Sequence, residues 1–143
     1  MVIEWKICEK EFIRIVSRDE KRVESIISRA LERLNIFEQI KVNEKSVSFV
    51  VENYYEVIKE LLVAYLLRDG LKSNNHQCLI SYFYKKNPEY EKQVLLMSQM
   101  SFFRNRLNYY GESIPKGFYD NNKEEFKKII KLILKILKRG KNG

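Results

Sequence analysis

Apolar positions recur along this chain with the 3.6-residue period of helices rather than the alternation of strands. The C-terminal segment shows it most clearly. Phe126, Ile129, Ile130, Ile133, Leu134 and Leu137 follow the i, i+3, i+4, i+7, i+8, i+11 spacing, one apolar stripe along a helix of about five turns. Lys127, Lys131, Lys135 and Lys138 line another face. Asp120 or Asn121 is expected to cap its start, Glu124 and Glu125 suit its positive end, Lys138 and Arg139 its negative end, and Gly140 stops it.

Four further helices are predicted. The first spans 18–39, with Val23, Ile26, Ile27, Ala30, Leu34 and Phe37 on one face and Ser17 and Glu20 at capping-box spacing. The second spans 46–68, with Tyr54, Ile58, Leu61, Leu62 and Tyr65 facing inward, and ends at Asp69-Gly70. A shorter one spans 74–85 and is broken by Asn87-Pro88. The last spans 89–109, burying Leu96, Met100, Phe103 and Leu107, and is punctuated by Gly111 and Pro115. Residues 5–16, including Phe12-Ile-Arg-Ile-Val16, read equally as helix or strand. Four long helices joined by short turns predict an all-α fold. Its expected form is an antiparallel four-helix up-and-down bundle with an additional short helix. Residues 1–143 are read as a single helical domain, with 1–16 packing across the bundle.

Composition narrows the function. The chain has 143 residues, only 5 Gly and 2 Pro, and 45% hydrophobic content, which speaks against disorder and turn-rich all-β folds. The longest apolar run, Leu61 to Leu67, is far short of a membrane span, and the opening residues lack the pattern of a secretory signal, so a cytoplasmic location and no membrane partner are expected. A formal charge of +8 favours polyanionic partners, although lysine-rich solvated helix faces supply much of the excess. Two cysteines, Cys8 and Cys78, permit one disulfide at most, and with the lone His76 they fall short of the four ligands of a structural zinc site. No Walker or dinucleotide glycine loop is present, and no metal or cofactor is expected.

Two stretches concentrate polar chemistry. In Phe103-Arg-Asn-Arg-Leu-Asn-Tyr-Tyr-Gly111, Arg104 and Asn108 are four apart and share a helix face. With Asn105, Tyr109 and Tyr110 they offer a planar cation for phosphate and rings for stacking. The alternative is that Arg104 pairs with an acid on a neighbouring helix and the tyrosines finish the core. In Asp69-Gly-Leu-Lys-Ser-Asn-Asn-His76, a polar turn leads into a helix whose first turn holds His76, either as a ligand contact or weak base or as a tied structural group.

Together with Tyr54-Tyr-Glu-Val-Ile-Lys-Glu-Leu-Leu62, these two stretches resemble an archaeal member of the HEPN superfamily over about residues 5–140. The resemblance implies a four- or five-helix bundle and a homodimer. It also implies a partnership with a minimal nucleotidyltransferase in a two-component, toxin–antitoxin-like system, in which a tyrosine near Arg104 is modified. Nucleotide or RNA would be bound by Arg104, Asn105, Asn108, Tyr109, Tyr110 and His76. Other family members are metal-independent ribonucleases with Arg, four to six residues, then His. Here Tyr109, Tyr110 and Gly111 follow Arg104 at those positions and no histidine appears, so cleavage would require Arg104 with Tyr109 or with His76 from another helix. A non-catalytic structural or regulatory bundle is the third reading.

Overall fold

The structure, a computed structural model, describes residues 3–142, with side chains described through residue 140. It is mainly α. Helix α1 (Trp5–Glu11) leads into strand β1 (Ile13–Ile15), followed by α2 (Glu20–Phe37) and α3 (Val47–Arg68). Strand β2 (Leu71–Ser73), α4 (His76–Lys86), a 3-10 turn at Pro88–Tyr90, α5 (Glu91–Tyr110) and α6 (Lys116–Asn142) complete the order. Among the described residues no helix is long and apolar enough to cross a membrane.

Helix α3 is the hub. It is apolar around most of its circumference, the pattern of a helix covered on several sides, and it packs against α2, α4, α5, α6 and β2. Helices α2 and α6 are amphipathic and bury one stripe each. On α6, Phe126, Ile129, Ile130, Ile133 and Leu137 lie in the core, and Leu134 packs against it half-buried. Rings knit the core across helices: Phe37 meets Tyr54 edge-on at 4.7 Å, and Tyr54 meets Phe126 at 5.5 Å. Leu96 and Met100 of α5 are buried as expected, while Phe103 and Leu107 pack only partly buried against the core.

The ambiguous N-terminal stretch is both things in turn. Its helical half becomes α1. Its β-branched half becomes β1, which pairs antiparallel with β2, Ile13 opposite Ser73 and Ile15 opposite Leu71. This ribbon starts at Gly70, whose φ of +75° is costly for residues with a Cβ; a Cβ there would meet the Val16 carbonyl oxygen at 3.1 Å. Cys8 of α1 and Cys78 of α4 form a disulfide, closing the two segments onto each other across 70 positions of sequence.

Several predicted boundaries move. Asp19, not Ser17, caps α2, accepting the Arg22 N–H at 3.1 Å, because the chain is still tied to the ribbon at Val16, which donates to the Gly70 carbonyl at 2.9 Å. Helix α6 starts at Lys116, so Asp120 and Asn121 lie within it, and Asp120 pairs with Lys116 at 2.9 Å instead of capping. Gly140 does not stop α6. The helix continues to Asn142, and a Cβ at Gly140 would lie 3.5 Å from the Arg68 side chain. Gly111 does end α5, at φ +67°.

Candidate functional site

Charges in a buried helix need partners, and α3 carries three on one side. Glu52, Glu56 and Lys59 recur at i, i+4 and i+7, so they share a face. That face meets α5 and the start of α4. The Arg104 guanidinium donates to Glu56 at 3.4 Å, and Lys59 pairs with the same carboxylate at 2.6 Å. With its amide oriented to satisfy both ends, Asn108 accepts from Arg104 Nε at 3.2 Å and donates to Glu52 at 3.0 Å. Arg104, Glu56 and Lys59 retain only about a fifth of their side-chain exposure, 22%, 18% and 20%. Their mutual attraction is therefore stronger than that of a solvated surface pair.

Helix α4 adds His76. Its first turn is organised by Asn75, whose side chain accepts the N–H groups of Gln77 and Cys78 at 3.0 and 3.3 Å. His76 is half-buried, and its pKa lies below the ordinary histidine value. Burial is the main cause, followed by the positive charges of Lys59 and Arg104, with Glu56 opposing them. Next to it, Gln77 donates to Ser101 of α5 at 2.9 Å, while its own carbonyl oxygen is buried without a hydrogen-bond partner among the described residues. Tyr55 of α3 also bonds to Ser101, and burial raises its pKa.

The residues singled out from sequence separate into two groups. Arg104 and exposed Asn108 bond to Glu56 and Glu52, and His76 lies within electrostatic reach of Lys59, Arg104 and Glu56, in one mixed-charge cluster where α3, α4 and α5 meet. Tyr109 and Tyr110 do not join it; they are 77% and 70% exposed at the end of α5. There Arg106 lies over the Tyr110 ring at 5.1 Å and the Phe102 ring at 5.6 Å while paired with Glu112 at 2.6 Å. Neither tyrosine finishes the core. Asn105 is half-buried. Glu52, Glu56, Lys59, Gln77 and Ser101 were missed from sequence. Glu52, Glu56 and Lys59 had a legible signal, since three charges on one face of a strongly apolar helix demand an opposing polar surface.

Arg104 and Lys59 present two cations and Glu52 and Glu56 two carboxylates, so the cluster is balanced in charge and an anion entering it has to compete with those carboxylates; His76, its pKa lowered, stands beside them. Among the described residues no group of three His, Cys, Asp or Glu side chains is placed to hold a metal ion, and both cysteines are consumed by their mutual bond. Compared with protein-family models, with curated proteins and with solved structures, the chain matches none.

Proposed function

We propose that this chain is a HEPN-like helical bundle that binds an RNA or nucleotide phosphate at the α3–α4–α5 crevice, as the binding and interaction subunit of a nucleotidyltransferase-linked pair. In this reading α2, α3, α5 and α6 are the four long helices of an antiparallel bundle, with α1 and α4 as additions. The observation that carries it is the gathering of Arg104, Lys59 and His76 from three different helices into one half-buried cluster. Leu95, Phe102 and Tyr109, exposed at seven-residue spacing on α5, supply an apolar stripe through which two copies would pair next to that crevice.

The Glu56 contact weighs on the other side, because an arginine already paired within its own chain also suits a purely structural role. One experiment separates the two. Fluorescence anisotropy with a short labelled RNA, at about 0.1 M salt, compares the native chain with Arg104→Ala. Phosphate recognition predicts affinity weaker by roughly 1–3 kcal/mol, about five- to 150-fold. An unchanged affinity with a lowered melting temperature assigns Arg104 to the scaffold and refutes the proposal.

The neutral state of His76 favours a second reading, metal-independent RNA cleavage. His76 would accept the proton of a ribose 2′-hydroxyl as its oxygen attacks the adjacent phosphorus, and Arg104 and Lys59 would stabilise the charge building on the phosphate oxygens. RNA cleavage in EDTA that disappears in both His76→Ala and Arg104→Ala supports it. Cleavage that survives both variants comes from a contaminant.

A further inference from the structure

A well-formed cavity lies away from the Arg104 cluster. It has a volume of about 620 Å³ and lies between the β1–β2 ribbon and helices α2, α3 and α4. Its floor is aliphatic, formed by Ile26, Val63, Leu66 and Leu79, and its rim carries Arg14, Arg18, Arg22 and Lys72. The only acid among the described residues on that rim is Asp19, and its carboxylate is engaged in capping α2. None of the four cations forms an ion pair among the described residues. Elsewhere Arg33, Arg68, Arg104 and Arg106 find carboxylates, while Arg29 and Arg139 form no ion pair among the described residues. An excess of unpaired positive charge around an apolar hollow of this size is the composition of a small-molecule site rather than of a packing defect.

We infer that this cavity binds an aliphatic anion, a molecule with a hydrocarbon body seated on Ile26, Val63, Leu66 and Leu79 and a carboxylate or phosphate head held at the arginine and lysine rim. The aliphatic body follows from the walls. Among the described residues that line the cavity none is aromatic, so nothing offers the stacking surface a nucleobase takes. The anionic head follows from the rim, where guanidinium groups supply forked donors matched to carboxylate and phosphate oxygens. Ser73 and Asn74 line the cavity as well, adding neutral polar groups to that charged mouth.

Isothermal titration of the full chain tests this with straight-chain carboxylates of six, eight and ten carbons, kept below their micellar concentrations. The matching alkyl phosphates, alkanols and adenosine monophosphate are run beside them. An aliphatic floor predicts affinity rising about fourfold per added methylene until the cavity is filled. The charged rim predicts that carboxylate or phosphate outperforms the alkanol of equal length by at least tenfold, and the two anions tell which head is preferred. Arg18→Gln combined with Arg22→Gln, both at exposed positions, weakens the anion about tenfold or more and leaves the alkanol unchanged. Val63→Phe, which fills the floor, abolishes the chain-length gain, and circular dichroism checks that each variant keeps its helices. Equal binding of alkanol and anion overturns the role of the rim. Saturable binding of adenosine monophosphate without binding of any alkyl anion overturns the aliphatic class. Absence of saturable binding by every ligand at millimolar concentration overturns the site.

Discussion

Reduction of the Cys8–Cys78 bond is the most quantitative perturbation the fold offers. The bond joins positions 70 apart in sequence, so it removes a large share of the conformations open to the unfolded chain. The chain-entropy relation for a loop of that length gives about 4 kcal/mol at room temperature. Folded-state effects are the smaller term. Both cysteines are fully buried, and a reduced thiol behaves as a small hydrophobe that remains in place. Entropy of the unfolded chain therefore decides the sign and most of the size. A domain of this length has total stability of about 5–15 kcal/mol, so the reduced protein folds with a much smaller margin. With a urea slope of about 2 kcal/mol per molar, the unfolding midpoint should fall by about 2 M. Because the sulfurs are shielded, reduction is done in denaturant, followed by refolding in reductant. Urea curves of the oxidised and reduced forms are then read by circular dichroism and tyrosine fluorescence. The slope should rise slightly on reduction, since the freed unfolded chain exposes more surface. Midpoints that coincide within about 0.3 M, or free thiols in the denatured but unreduced protein, would refute the reasoning.

Two other tests follow from single residues. Arg68 joins three helices: it pairs with Glu20 at 2.7 Å and Glu24 at 3.9 Å on α2 and donates to the Leu137 carbonyl on α6. Its side chain is 12% exposed, so Arg68→Met should destabilise by roughly 2 kcal/mol and lower the melting temperature by about 6 °C. Arg106→Met breaks the exposed pair with Glu112 and the exposed cation–ring contacts with Phe102 and Tyr110, and should leave the melting temperature nearly unchanged; equal losses in the two variants would contradict this ranking. His76 titrates lower in the fold than in the unfolded chain, so the unfolded state binds the extra proton first as pH falls. Its contribution is complete above the ordinary histidine pKa and is lost as pH drops from there through the lowered folded value. The stability difference between the native chain and His76→Gln should therefore shrink on acidification from pH 7, and an NMR titration of the single imidazole reads the shift directly.

Helix existence was legible wherever one face alone is apolar. The stripe of α6 and the inward face of α2 predict their burial, because a single wet side leaves an unbroken 3.6-residue rhythm. Ends were less legible. Ser17 and Glu20 had capping-box spacing, yet Asp19 caps α2, since ribbon pairing by Val16 with Gly70 at 2.9 Å holds the chain extended just before it. Three-residue strands carry no periodicity of their own, so β1 and β2 were invisible as a pair until the Asp69-Gly70 turn brought them side by side. At the crevice, the i, i+4 relation of Arg104 and Asn108 was readable within one helix, and so was the placement of His76 in the first turn of α4. On α3 the charged face of Glu52, Glu56 and Lys59 was readable too, but its pairing with Arg104 was not, because contacts between helices 48 positions apart leave no local spacing to detect.

The two proposed sites share scaffolding. Val63 lies seven residues after Glu56, two helical turns along the same face of α3, so the polar crevice and the apolar cavity occupy successive stretches of one helix surface about 10 Å apart. The segment leading into α4 borders both: Ser73 and Asn74 line the cavity, while His76 and Gln77 belong to the crevice. Immediately after them, Cys78 is bolted to α1. The disulfide thus fixes the element on which both arrangements depend, and loosening it is felt first at the start of α4. Amide exchange gives this its test. On reduction, the core of α3 around Ile58 and Leu61 should lose only the roughly 4 kcal/mol of global stability, while 74–79 should lose more by opening locally. Uniform loss across the chain would mean that the bond acts only through the unfolded state and has no local hold on the segment between the two sites.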